Sequence, residues 1–434
     1  MGRRLNVLSS DYHPAYVVWE LTLKCDMACT HCGSRAGQDR PDELTTDEAL
    51  AVVEQLAAMR ASEVVLIGGE AYLHDGFLDI VRALDKAGCV PTMTTGGRGV
   101  TAELAEKAAA AGLARVSVSV DGLAETHDRM RARKGSFEDA TRALANCAAA
   151  GIDIAANTNF NRLNRADLEG LYEHLRDQGI FAWQIQITTP LGRAADRTDM
   201  LLQPWDLLDL VPRVAAIKKR AFADGILVMP GNNLGYFGPE EALLRSSAQD
   251  RRDHWQGCQA GKFVMGIESN GAVKGCPSLQ TAHYVGGNLR ERSIERIWSD
   301  TAELGFARAR TVEDLWGFCR TCSFAEPCLG GCSFTAHAVL GRPGNNPYCH
   351  FRARHFEKSG KRERLVPTEA APGLPFDNGL FDIVVEDLDA PDPGLSIAPE
   401  NLVQITRPQK REPQSQGCSR QEPSRQEPSR HEPA

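Results

Sequence analysis

The chain has 434 residues, a net charge of −8 and 42% apolar residues, enough for a large core plus a second module. It contains no run of eighteen apolar residues, no apolar secretory segment near its start and no basic block outside its tail, so neither a membrane partner nor a nucleic-acid partner is expected, and a cytoplasmic location is. Thirteen cysteines in such a chain predict metal ligation in a reducing compartment, not disulfides.

Tyr16-Val17-Val18-Trp19-Glu20-Leu21-Thr22-Leu23 reads as a buried strand. Cys25, Cys29 and Cys32 follow it, separated by three and then two residues. Thiolates are the usual iron–sulfur ligands. Three on one loop can hold three irons of a [4Fe–4S] cube and leave the fourth open. An open position is what turns a metal site from structural to catalytic. A zinc loop and three surface thiols are the competing readings.

Further β-rich runs lie at 64–67, 90–95, 116–120, 152–158 and 181–188. Helical patterns separate them. Thr45 to Glu48 is a capping box opening the helix 49–59. Residues 101–111 are alanine-rich. Ser136 starts a helix that ends before Gly151, and Asn164 caps 165–178, which Gly179 stops. Six strand–helix repeats predict an α/β fold with a parallel sheet. Six are too few to close an eight-stranded barrel, so a partial (β/α)6 TIM-like barrel is expected. From about 231, glycines, cysteines and short strands replace long helices. Residues 381–385 could form one strand. The repeat Ser419 to Pro433 is too polar to offset its ordering entropy and is expected to be disordered. The expected division is an N-terminal extension at 1–15, a barrel at 16–230, a cysteine-rich domain at 231–360, and an extension with a disordered tail at 361–434. Cys89 and Cys147 read as buried small hydrophobes, and Cys418 as incidental.

The cysteine triplet resembles that of the radical S-adenosylmethionine (SAM) superfamily, in which an aromatic residue precedes the last cysteine; His31 holds that place. The resemblance implies that the open iron chelates SAM, which an electron cleaves to a 5′-deoxyadenosyl radical. Gly68-Gly69-Glu70, after the second strand, is similar to the motif that binds the SAM amino group. Thr94 to Gly97 could line the same mouth. Ser119, ending the fourth strand, and Arg131, in His127-Asp128-Arg129-Met130-Arg131, match further SAM contacts. Leu191, in Pro190 to Ala194, would pack against adenine.

Cys258, Gly271, Cys276, Cys319, Cys322, Cys328, Cys332 and Cys349 resemble the SPASM domain found on relatives that modify peptides and proteins. There, two auxiliary [4Fe–4S] clusters are held. By this resemblance Cys319, Cys322, Cys328 and Cys349 hold the outer cluster, and Cys258, Cys276 and Cys332 the inner one. Fully ligated relatives have one more cysteine upstream. Ala248 to His254 contains none, so the inner cluster keeps an open iron or borrows His254, an aspartate or a substrate thiolate. Pro277 stands where sulfatase-activating relatives place an aspartate, which disfavours that activity. The resemblance implies a radical SAM peptide maturase with a peptide substrate and an electron donor such as ferredoxin or flavodoxin. The alternatives are modification of a tetrapyrrole side chain, a non-catalytic iron–sulfur electron carrier, and a zinc-dependent module.

Overall fold

The computed structural model describes residues 12–248, 253–392 and 394. The polar repeat, Cys418, residues 249–252 of the cysteine-free stretch and most of the N-terminal extension lie outside them. Ten strands form one sheet. In chain order they are β1 (Tyr16–Thr22), β2 (Glu63–Gly68), β3 (Val90–Thr95), β4 (Arg115–Ser119), β5 (Asp153–Phe160), β6 (Ala182–Ile187), β7 (Leu227–Pro230), β8 (Val264–Ile267), β9 (Ala272–Lys274) and β10 (Val285–Asn288). β1 to β7 lie side by side in sequence order and in parallel, with helices as crossovers. The six expected strands are therefore all present, and β7 extends the row.

The cysteine-rich segment continues this same sheet. β8 pairs in parallel with the free edge of β1, and β9 and β10 add antiparallel strands beyond it. The segment is thus hydrogen-bonded directly to the strand that carries the first cysteine loop.

Strand side chains alternate between two faces. Trp19, Leu66, Met93, Val118 and Trp183 join the helices in one apolar core. Each fully buried side chain of this kind stabilises by about 1.5–3 kcal/mol. The alternate positions carry Glu20, Thr22, Thr92, Ser117, Ser119, Asn157, Gln184 and Gln186. A closed (β/α)8 barrel fills its interior with branched apolar side chains. Here most inward positions are polar, with Val18, Val65 and Ile67 as apolar exceptions on β1 and β2, which suits a chamber for a polar ligand.

Thr45 caps the helix Thr46–Ala58 with the reciprocal Glu48 contact the sequence predicts. Asn164 departs from expectation. Its side chain caps no helix; its amide donates to the carbonyls of Asp121 (2.7 Å) and Asn159 (2.9 Å), stitching the ends of β4 and β5. A side chain with strong local capping chemistry was captured by a buried long-range acceptor instead. Cys89 and Cys147 are buried in the core, as expected.

Beyond the cysteine-rich segment, β11 (Lys361–Glu369) pairs antiparallel with β12 (Leu380–Asp387), which contains the expected strand 381–385. The ribbon is docked by a buried bidentate pair, Arg352 to Glu363 at 2.6 and 2.7 Å, and by Leu365 N–H donating to Gln203 (2.8 Å).

Candidate active site and cysteine clusters

The first cysteine loop leaves β1 at the C-terminal edge of the sheet. Its shape is enforced by the loop after β2. Gly69 N–H donates to the Thr22 carbonyl and Glu70 N–H to that of Lys24, both at 2.8 Å. A methyl group on Gly68 would lie 2.2 Å from the Thr22 oxygen, and one on Gly69 2.1 Å from the Lys24 oxygen and 2.6 Å from Cys25 Cβ. The two glycines are therefore required by the protein's own cysteine loop.

Glu70 is buried. Gly96 N–H (2.8 Å) and the Thr95 hydroxyl (2.5 Å) each donate to one of its carboxylate oxygens. This gives Thr94 to Gly97 a role in the mouth. Burial raises the Glu70 carboxyl to about 7, against the opposing pull of these hydrogen bonds. Cys25 Sγ, Asp26 and Glu70 bring ligand atoms within 4.8 Å of one another.

The centre of the arrangement is Asp121, just beyond β4, a residue that the sequence reading left without a role. It is fully buried. Its carboxylate meets Arg131 Nη2 at 2.5 Å and His31 Nε2 at 3.1 Å, and accepts Asn159 N–H at 2.9 Å. Burial pushes this carboxyl up, but Arg131 and then His31 outweigh it and hold it well below the usual range. Arg131 also reaches Cys29 Sγ at 3.5 Å. Asp121 thus fixes both His31 and Arg131 against the cysteine loop. A buried aspartate beside a predicted His-x-x-x-Arg segment was the one signal that could have found it. Ser119 is half-buried at the end of β4, next to this group.

The 190–194 loop clamps the opposite side. Arg193 donates to the carbonyls of Cys29 (2.8 Å) and Ala36 (3.1 Å), and its own N–H to Cys32 O (2.9 Å). Leu191 is buried against Gly33, where an added methyl would touch it at 3.1 Å. The cysteine loop, Gly68, Gly69, Glu70, His31, Arg131 and Leu191 are therefore linked by contacts at the C-terminal edge of the sheet, and Ser119 stands two residues before Asp121.

The other cysteines fall into two sets. Burial pushes Cys276 up to about 12 and Cys332 to about 11, with Cys258 adding to both. Burial likewise raises Cys328 to about 12, with Cys319 and Cys322 adding, and raises Cys349 with Cys328 and Cys319 adding. Cys319, Cys322, Cys328 and Cys349 line one pocket together with Phe237, Phe318, Phe324 and Phe351. An apolar shell of this kind controls solvent access and potential at a metal centre. His254 directs Nδ1 to the Trp255 carbonyl at 2.8 Å and packs on Phe237.

Among the described residues, no three thiols come within 4.8 Å of one another. All the described cysteines are free thiols, with no disulfide among them.

Comparison with known proteins agrees. Residues 19–175 match the radical SAM superfamily, and residues 258–323 match SPASM, an iron–sulfur cluster-binding domain. An AdoMet-dependent heme synthase of Methanosarcina barkeri is 29% identical over 360 residues, 78% of this chain and 97% of that protein. The mycofactocin maturase MftC of Mycolicibacterium smegmatis is 30% identical over 345 residues, 77% of this chain and 82% of that one. In fold, the chain resembles Streptococcus suis SuiB bound to S-adenosylmethionine, with a TM-score of 0.61 at 15% identity, covering 78% of this chain and 76% of SuiB; SuiB has also been solved with its precursor peptide SuiA. In the described residues no helix is long and apolar enough to cross a membrane. The sequence motifs, the rim they build and these relatives together place the chain in the radical SAM superfamily, with a C-terminal SPASM domain and with SAM and [4Fe–4S] clusters as its cofactors.

Proposed function

We propose that the protein is a cytoplasmic radical SAM maturase that modifies a ribosomally made peptide, fed by a donor such as ferredoxin or flavodoxin. The observation that carries this reading is the shared rim: the cysteine loop, Glu70 and the Asp121–His31–Arg131 group are joined by direct contacts, through the loop backbone and Cys29 Sγ. In this reading Cys25, Cys29 and Cys32 hold the first cluster. Cys319, Cys322, Cys328 and Cys349 hold an outer auxiliary cluster, and Cys258, Cys276 and Cys332 an inner one. The working division is 16–230 for the barrel and 231–360 for the auxiliary domain, with 1–15 and 361–434 as extensions.

Bound there, SAM and its cluster would supply a 5′-deoxyadenosyl radical that takes a hydrogen atom from the substrate. The chain's own residues do the positioning. Glu70, with both oxygens oriented by Thr95 and Gly96, presents an acceptor to an ammonium group. Arg131, held by Asp121, places a guanidinium at Cys29, where it would meet a ligand carboxylate. Ser119 offers a hydroxyl, and Gly68, Gly69 and His31 shape the loop. Leu191 presents an apolar face to a base. The polar inward positions hold substrate near the reacting carbon, a problem of orientation. The SPASM thiols would hold an electron sink or a ligand site for substrate.

Modification of a tetrapyrrole is the second reading, favoured by the heme synthase relative. Against it, two cations of the lumen are already compensated: Arg40 by Glu20 and Lys274 by Glu268. Porphyrin carboxylates would have to displace these partners. Anaerobically reconstituted protein, given SAM, dithionite and either candidate precursor peptides or Fe-coproporphyrin III, separates the readings by mass spectrometry. A mass change on the porphyrin alone would reverse the preference, and cluster-loaded protein that yields no 5′-deoxyadenosine would refute both.

A further inference from the structure

The linker between β11 and β12, residues 370–379, lies outside every motif considered so far, yet it bridges the two halves of the site. Phe376 N–H donates to the carbonyl of Gly33 at 3.0 Å, and Gly192 N–H to the carbonyl of Asp377 at 2.8 Å. Arg35, three residues after Cys32, donates to the Leu374 carbonyl at 3.1 Å and pairs with Asp377 at 3.0 Å. On its other side the Phe376 ring covers the Lys274 ammonium, 3.9 Å from the ring centroid. Lys274 is fully buried and stands two residues before Cys276. The order in space is Cys32–Gly33, then Phe376, then Lys274 and Cys276.

Strand alternation says which face this is. Val273 packs in the core with the helices, so its neighbour Lys274 faces the lumen. There Lys274 pairs with Glu268, which Arg40 links to Glu20 on the inner face of β1. Phe376 therefore closes the lumen between the cysteine loop and the inner thiols. It does so at a conformational cost. Phe376 (φ 56°) and Arg35 (φ 50°) both occupy the left-handed region that non-glycine residues avoid. Such outliers persist where the surroundings over-determine them, and they concentrate at functional sites.

We propose that Phe376 is the wall of the reaction chamber and a specificity-determining residue: its ring decides which hydrogen donors reach the position where the radical forms. This rests on the reading that SAM is cleaved at the Cys25–Cys32 loop. Removing the ring should admit small external donors without disturbing SAM.

The test uses cluster-loaded protein, SAM and dithionite, with fully deuterated 2-propanol as an external donor. Donation breaks the C2–D bond of the alcohol, forms a C5′–D bond and leaves the unpaired electron on C2 of the alcohol. This ketyl radical passes an electron back to the oxidised reductant and a deuteron to solvent to end as acetone, so the mass of 5′-deoxyadenosine reports access. Phe376→Ala should raise its deuterium content about fivefold over the unsubstituted protein, Phe376→Leu less, and Phe376→Trp not at all, with SAM affinity by calorimetry kept within about twofold. Amide hydrogen exchange at Gly192, without SAM, reports whether the linker stays docked; if Phe376→Ala undocks it, Phe376→Leu decides. Equal deuterium content in all four proteins overturns the proposal and leaves SAM cleavage standing. Failure of the unsubstituted protein to form 5′-deoxyadenosine refutes the functional reading itself.

Discussion

Asp121 offers the sharpest test of how the SAM rim is held together. Its carboxylate is fully buried and bound to Arg131 at 2.5 Å, His31 at 3.1 Å and Asn159 N–H at 2.9 Å. Asp121→Ala leaves the buried Arg131 guanidinium without its counter-charge. Losing one partner of a buried pair costs about 3–5 kcal/mol. Asp121→Asn keeps the shape and an acceptor for Asn159 but loses a charge-assisted bond, for a cost of about 1.5–3 kcal/mol. Because most of the Ala penalty is an orphaned charge, Arg131→Met should rescue it: the double variant should lose at least about 1 kcal/mol less than the sum of the singles. The assay is denaturant unfolding of the four proteins of the cycle, with SAM binding to cluster-loaded protein measured in parallel. Affinity should fall about tenfold even in Asp121→Asn, equivalent to about 1.4 kcal/mol, because Arg131 is no longer aimed. Additive single effects, or unchanged SAM binding, would refute the claim that Asp121 acts by holding Arg131. The carboxyl titrates well below its unfolded range, so its contribution is complete above about pH 4 and declines only as the pH falls further.

Gly69→Ala should prevent the first cysteine loop from closing, since its methyl would sit 2.1 Å from the Lys24 oxygen; iron analysis should show loss of the N-terminal cluster while the SPASM clusters remain. Burial lowers His127 to about 3 and His337 to about 4. Both are neutral when folded and take up protons on unfolding, so stability is unaffected above about pH 6.5 and falls below it by up to ~1.4 kcal/mol per pH unit for each, down to about pH 4. Thermal melts from pH 7.5 to 4.5 should show this, and His337→Gln should flatten the slope. Arg193→Ala frees the carbonyls of Cys29 and Ala36, and calorimetry should find SAM binding about tenfold weaker, with Arg193→Lys failing to restore it because a single ammonium cannot span both acceptors.

Much of this site was legible because its parts obey local rules. Short β-rich runs located β1 to β6 within a residue or two. Motif spacing sorted ten of the thirteen cysteines into sets, and Cys319, Cys322, Cys328 and Cys349 do line one pocket. What escaped the sequence is non-local. The parallel pairing of β8 with β1 joins residues about 250 positions apart, and no periodicity announces a partner strand. Asp121 and Thr95 gain their roles from neighbours on other strands. Gly68 and Gly69 suggested close approach of a ligand, but the nearest backbone is the protein's own. β11 was hidden because its Lys-Arg-Glu-Arg start reads as solvated surface, whereas Arg352 neutralises Glu363 there. Phe376 lies in a linker with no motif at all, and only the folded chain brings it between the cysteine loop and Cys276.

The account stands or falls on the first cysteine loop. Anaerobic protein carrying Cys25→Ala, Cys29→Ala and Cys32→Ala together should keep its SPASM clusters by iron and sulfide analysis, lose about four irons of roughly twelve, and form no 5′-deoxyadenosine from SAM and dithionite. Cleavage of SAM at the unsubstituted rate by that triple variant would contradict it.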